Sequence, residues 1–249
     1  MSNHESTETS SSPTRYVVGV DCGTGSVRAA VVSLQGRVVS KHVVCTEMWK
    51  PAPNFVQQSS VNIWQAVCNA VRGALSSAVV SLRQPSGTAH SPLEASPSAA
   101  ELAELVNCVV GIGFDATCSL VVLDENFAPV SVSPDGEAEQ NIVVWMDHRA
   151  RDQAARINAA GHAVLRFVGN RISPEMQTPK LMWLREQLPD RWPRMRHFFD
   201  LPDFLTFRAT DSTSRSLCSL TCKWTYTEDG GWDHSYWRSI GLGEIVDEA

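Results

Sequence analysis

The chain has 249 residues, 43% of them hydrophobic and 19% charged, which suffices for a buried core in a globular domain. Its 27 acidic and 21 basic side chains give a net charge of −6 and argue against nucleic acid as a partner, since a phosphate backbone needs a basic face. No apolar run is long enough to span a membrane, whereas a nucleotide held by backbone amides and a metal stays open.

Residues 1–14 lack the basic-then-apolar pattern of a secretory signal and read as a disordered polar tail. The seven cysteines are odd in number and scattered without a CxxC pair. That pattern favours reduced thiols in a cytoplasmic protein over a disulfide framework or a structural zinc site.

Tyr16–Asp21 is a short β-branched run suited to a buried strand. Ser26–Ser33 and Arg37–Val44 follow around a Leu34-Gln35-Gly36 turn, which predicts a three-stranded antiparallel meander. Ser59 and Ser60 offer an N-cap for a long helix whose apolar stripe includes Ile63, Val67, Val71, Ala74 and Ala78. Residues 84–100, rich in Pro, Ser, Gly and Ala, read as an exposed loop or insertion. Strands are expected over Val106–Phe114, Leu120–Leu123 and Asn141–Met146, and a helix over Asp147–Asn158. Pro179–Gln187 and Pro202–Ala209 read as helices opening on proline. Thr210–Thr221 reads as a Ser/Thr-rich connector, and Trp224–Trp237 fits no element clearly. Strands, a helix, then strands with helices between them indicate an α/β fold with a mixed sheet and flanking helices.

The strongest local signal is Asp21-Cys22-Gly23-Thr24-Gly25-Ser26-Val27-Arg28. A carboxylate closes one strand, and a glycine–hydroxyl turn opens the next. Gly23 and Gly25 permit close approach of a ligand, while Thr24 and Ser26 supply hydroxyl donors for phosphate oxygens. Asp21 suits Mg²⁺ held through water, because magnesium keeps part of its hydration shell. The same residues also make an ordinary tight hairpin.

Three further stretches occur in order: Gly111-Ile112-Gly113-Phe114-Asp115-Ala116-Thr117-Cys118-Ser119, Trp145-Met146-Asp147-His148-Arg149-Ala150, and the segment from Arg215 to Lys223-Trp224. With the glycine hairpin they resemble the ribulokinase-like branch of the FGGY carbohydrate kinases, within the actin-like (ribonuclease H-like) ATPase superfamily. The resemblance runs from about Arg15 to the C-terminus. It implies an actin-like ATPase domain over 15–249 that uses ATP and Mg²⁺ to phosphorylate a hydroxyl of a sugar or polyol, a pentulose such as ribulose first. By the same resemblance, Asp21, Gly23, Thr24, Gly25, Ser26 and Arg28 face the phosphates and Mg²⁺. Asp115 and Thr117 line the sugar pocket, Trp145 and Asp147 form its opposite wall, and Lys223 holds the substrate. Ala116-Thr117 stands where the glycerol-kinase branch has an Arg-Glu pair, which disfavours glycerol.

Each residue also has a plainer reading. Asp147 with Arg149 and Arg151 is a charged helix start, Lys223 a surface lysine, and Trp145 a core tryptophan. The other tryptophans read as packing residues, and so does His197–Asp203. In the family, the aspartate that takes the hydroxyl proton lies in a glycine-rich segment opening a second domain. The sequence ends at Ala249 before any such segment. The expectation is therefore a half without its base, inactive alone; the alternative is a non-catalytic sugar-binding or interaction module. An unpaired first domain also leaves its cleft face uncovered, which would favour a homo-oligomer.

Overall fold

The computed structural model describes residues 14–83, 96–136 and 139–247. The expected tail, except Thr14, and most of the expected 84–100 insertion lie outside these residues.

The meander forms as β1 (Tyr16–Cys22), β2 (Ser26–Ser33) and β3 (Val38–Cys45), paired antiparallel in that order. Gly36 closes the β2–β3 turn at φ 83°, a left-handed conformation that favours glycine, and its N–H reaches the Ser33 carbonyl at 2.8 Å. Helix α1 (Ser60–Arg83) starts where the Ser59 hydroxyl accepts from the Asn62 N–H at 3.2 Å. Ile63, Ala66, Val67, Ala70, Ala74 and Ala78 form its buried stripe and meet Val18, Val20, Val27, Ala29 and Val31 of the sheet. Small residues let the helix come close: the Ser40 hydroxyl of β3 donates to the Ala74 carbonyl at 2.6 Å.

Helix α2 (Ala99–Asn107) occupies the end of the stretch expected to be loop and the start of the strand expected from Val106. A reciprocal Ser98–Glu101 capping box starts it. The apolar run Leu102–Val110 is ambiguous between helix and strand, and only its second half extends. Strand β5 (Val109–Ala116) then pairs parallel to β1, giving a mixed sheet of order β3-β2-β1-β5.

A second sheet consists of β4 (Gln57–Gln58), β6 (Leu120–Leu123), β7 (Ile142–Val143) and β8 (His197–Asp200), ordered β4-β7-β6-β8. Strand β6 is buried on both faces. Val121 and Leu123 join the core under α1, whereas Leu120 and Val122 join a second core. Helices α3 (Arg151–Ala160), α4 (Gln177–Gln187), α5 (Leu201–Thr210), α6 (Leu217–Lys223), α7 (His234–Ser239) and α8 (Gly243–Asp247) follow. The strand expected over Asn141–Met146 shrinks to two residues, and α3 begins at Arg151 rather than Asp147. Between them the chain turns to bury Asp147. The expected Thr210–Thr221 connector ends in α6, which the Ser216 hydroxyl caps by accepting from the Cys218 N–H.

Only one face of the first sheet is covered by α1. On the other, Gly19, Asp21, Arg28, Ala30, Lys41, Gly113 and Asp115 line a groove of about 570 Å³. Among the described residues, no helix is long and apolar enough to cross a membrane.

Candidate functional site

The glycine hairpin between β1 and β2 is anchored from outside itself. The Thr24 carbonyl accepts from Gln58 Nε2 at 2.8 Å and from the Thr46 hydroxyl at 3.3 Å. The Thr24 hydroxyl accepts from the indole N–H of Trp145 at 3.1 Å. Within the hairpin, the Gly23 N–H donates to the Ser26 carbonyl at 3.0 Å, and a Cβ at Gly23 would lie 3.2 Å from the Arg28 guanidinium. Among the described residues, and apart from its two chain neighbours, nothing lies within 4 Å of a Cβ built at Gly25, so that side of the turn has room for a ligand. The tip is thus tied to Thr46 beyond β3, to Gln58 of β4 and to Trp145, in addition to its own Gly23–Ser26 bond.

Register places a charged row across the open face. Asp115 of β5 lies beside Asp21 of β1, and Asp21 lies opposite Arg28 of β2. Arg28 Nη1 donates to Asp21 Oδ2 at 2.9 Å, with both side chains about half exposed. Asp115 thus shares the open face with Asp21 and Arg28. Two neighbouring exposed carboxylates, two hydroxyls and a guanidinium suit a hydrated Mg²⁺ and phosphate oxygens, so this donor set fits both groups.

Thr117 follows directly beyond the strand end. Its N–H donates to the Cys22 carbonyl at 3.2 Å, and its hydroxyl lies 3.4 Å from that of Ser119. The Ser119 hydroxyl accepts from the Trp145 N–H at 3.1 Å. Thr24, Thr117, Ser119 and half-buried Trp145 therefore form one cluster, in which the Trp145 indole meets the hairpin and its main chain meets the segment after β5.

Asp147 is placed differently from the expected pocket wall. Its carboxylate is wholly buried and accepts from Arg149 Nη2 at 2.7 Å, Arg149 Nε at 2.9 Å, the Arg149 N–H at 2.9 Å and the Val56 N–H at 2.6 Å. Arg149 is itself held between the rings of Phe55 and Trp183 and donates to the Val132 carbonyl. A carboxylate so occupied has no oxygen left for a sugar hydroxyl. Its acceptor capacity went to a nearby arginine because the turn after β7 folds both inward.

Lys223 ends α6, half buried, within electrostatic reach of Asp200 and Lys180. Gln177 of α4 completes this neighbourhood by donating to the Cys118 carbonyl at 3.2 Å and to Asp200.

Three features escaped the sequence reading. Gln57, Gln58, Ser59 and Ser60 are all buried, although polar. A polar run between Val56 and the stripe of α1 was the available signal. Lys180 is fully buried in α4 and donates to the carbonyls of Val144 at 2.9 Å and Trp145 at 3.3 Å, so it orients the loop that presents Trp145. Burial lowers its pKa to about 8, against the attraction of Asp147. Above that value the folded protein holds fewer protons here than the unfolded chain. Lys180 should therefore make stability rise between about pH 8 and 10. Urea titrations across that range check this; Lys180→Met should remove the rise, and an unchanged rise would count against the assignment. Third, Asp200 was read as packing, yet burial raises its pKa to about 7, opposed by hydrogen bonds from Gln177 and Trp224.

Residues 16–96 match the model of the FGGY family of carbohydrate kinases, N-terminal domain. The chain is 46% identical over 235 residues to the FGGY carbohydrate kinase domain-containing protein of Homo sapiens, covering 94% of this chain and 38% of the relative. It belongs to the FGGY family. A D-ribulokinase of Saccharomyces cerevisiae is 38% identical over 240 residues, covering 93% of this chain and 30% of the relative. The chain spans less than half the length of these curated FGGY relatives. The solved xylulose kinase of Rhodospirillum rubrum superposes at a TM-score of 0.68 with 17% identity, covering 93% of this chain and 42% of that one. The glycerol kinase of Plasmodium falciparum superposes at 0.65 with 11% identity, covering 93% and 41%. These likenesses establish the actin-like ATPase fold of FGGY sugar kinases.

Proposed function

We propose that this chain forms the sugar-binding and phosphate-facing half of an ATP-dependent carbohydrate kinase whose acceptor is a pentulose, with D-ribulose the leading candidate. The observation that carries this is Trp145: its indole N–H holds the phosphate-facing hairpin at Thr24, while its main chain is tied to the Thr117–Ser119 strand end. Donor phosphate and acceptor sugar are thereby referenced to a single rigid group, and phosphoryl transfer depends chiefly on positioning. The likeness to a yeast D-ribulokinase supports the choice of acceptor.

When bound, ATP and Mg²⁺ supply the transferable phosphoryl group and the charge that neutralises its oxygens. The hairpin, Asp21, Asp115 and Arg28 would hold the phosphate and metal end. Thr117, Trp145 and Lys223 would hold the sugar, whose hydroxyls need paired donors and acceptors. Proton removal falls outside this set. Asp147 is saturated, Asp200 is buried, and Asp21 is paired with Arg28. The resemblance assigns the base to a second domain, so the 249-residue chain alone binds without turnover. Seven free thiols fit a reducing, cytoplasmic setting.

Calorimetry with D-ribulose, D-xylulose and ribitol tests the reading. D-ribulose should bind, and Lys223→Ala should weaken it roughly tenfold or more, as for loss of a charged hydrogen bond. No binding of any of the three, or binding indifferent to Lys223, would overturn it. Measurable phosphorylation of ribulose by the pure chain would refute the absence of a base.

A further inference from the structure

Helix α6, which ends on Lys223, carries a second chemistry that neither sugar nor phosphate binding uses. Cys218 and Cys222 stand four residues apart on it. That spacing places both side chains on one face, a single turn apart. Both are exposed, and their thiols are near enough to interact. The other side of the helix is anchored, with Ser219 buried and Leu220 packed against the second core. The turn itself is closed. The Thr221 hydroxyl donates to the Leu217 carbonyl at 2.9 Å, and the Trp224 N–H donates to the Leu220 carbonyl at 3.1 Å. Just beyond, the Trp224 indole N–H donates to Asp200 Oδ2 at 3.1 Å. Two free thiols thus project from a fixed turn rather than from a loose loop.

We propose that Cys218 and Cys222 form a two-sulfur binding site for a soft, low-coordinate thiophilic centre such as a trivalent organoarsenical, bridged across one intact turn of α6. The site is independent of what Lys223 binds.

Geometry selects this class of ligand. On a helix, Cβ atoms four residues apart lie about 5–6 Å from each other. A disulfide needs about 3.5–4.5 Å, so direct oxidation would have to distort the turn. An inserted atom adds two bonds to sulfur, each of about 2.3 Å for a metal such as zinc, and so spans the wider gap. Coordination stays low, because among the described residues no three His, Cys, Asp or Glu side chains gather where they could hold a metal ion. A structural zinc site would call for four ligands. Thiolates also favour soft centres over hard cations. In sequence the next closest cysteine pair, Cys108 and Cys118, stands ten residues apart.

Phenylarsine oxide is the probe, and its reaction balances without a redox partner. Both S–H bonds break and two As–S bonds form. The oxide oxygen leaves as water with the two protons, and arsenic stays trivalent.

The whole chain is treated with phenylarsine oxide and then with excess 2-mercaptoethanol. A single phenylarsenic group should be retained by intact mass, and 1,2-ethanedithiol should strip it. Trypsin cuts after Arg215 and Lys223, so the peptide Ser216–Lys223 holds both thiols and no other cysteine. The retained group should map to that peptide. Cys218→Ser and Cys222→Ser should each lower retention about a hundredfold, because the second bond is no longer intramolecular. Cys45→Ser should leave it unchanged. Both substituted side chains are exposed, so neither variant removes core packing. Amide exchange over residues 216–223 should slow severalfold in the adduct, as for a helix end held closed. Loss of the group to the monothiol, retention on other cysteines, or retention unchanged in either α6 serine variant would overturn the site. Faster amide exchange would overturn a bridge across an intact turn.

Discussion

Asp147→Ala should destabilise the protein by about 3–5 kcal/mol, the cost of removing one partner from a buried ion pair. The carboxylate and the Arg149 guanidinium both show 0% side-chain exposure, and the carboxylate accepts from four N–H groups. Deletion leaves a buried cation against Phe55 and Trp183 that keeps its hydrogen bond to the Val132 carbonyl but loses its counter-charge, and orphans the Val56 N–H beside β4. Since a domain has roughly 5–15 kcal/mol of stability in all, this is a large share. Urea unfolding followed by circular dichroism checks it. A loss below about 1 kcal/mol would mean that the pair is not buried as described. The double variant Asp147→Leu with Arg149→Met should recover much of the loss, because removing both charges also removes the uncompensated one.

Asp200 should leave a large signature in the dependence of stability on pH. Its folded value of about 7 lies above the ordinary 3.8 of the free carboxyl. Between those values the native protein keeps the proton that the unfolded chain releases. Its contribution is therefore complete below about pH 4 and is lost as pH rises through 7. The gap corresponds to on the order of 4 kcal/mol. The difference in unfolding free energy between the wild type and Asp200→Asn should change by about that amount between pH 4 and 8. Taking the difference cancels the opposing carboxylates Asp233 and Asp247, whose values are lowered. Parallel curves would show that Asp200 titrates as an ordinary carboxyl.

The fold was legible wherever periodicity and turn chemistry act locally. The meander, the Gly36 turn and α1 lie within a residue or two of their expected positions, because period-2 and helical stripes need no knowledge of distant partners. Helix α2 was not read: Ser98 and Glu101 carry its capping signal, but the low-complexity sequence before them led to a loop reading. The two-residue strand β4 was not legible, and β7 was expected longer, over Asn141–Met146. Elements so short are made by their neighbours, and polar Gln57-Gln58 counts as strand only because Ile142 and Val143 run alongside.

The order of residue types was enough to place a carboxylate and two hydroxyls around a glycine turn, and to set Asp115, Thr117, Trp145 and Lys223 in family-like segments. Only the tertiary structure decided which of these side chains have free polar atoms. Hydrogen-bond capacity is allotted in space. Arg149 takes that of Asp147, Thr24 takes the indole N–H of Trp145, and register puts Asp115 beside Asp21. Burial then sets the charge of Lys180 and Asp200, since desolvation depends on what packs around a group and not on its sequence neighbours.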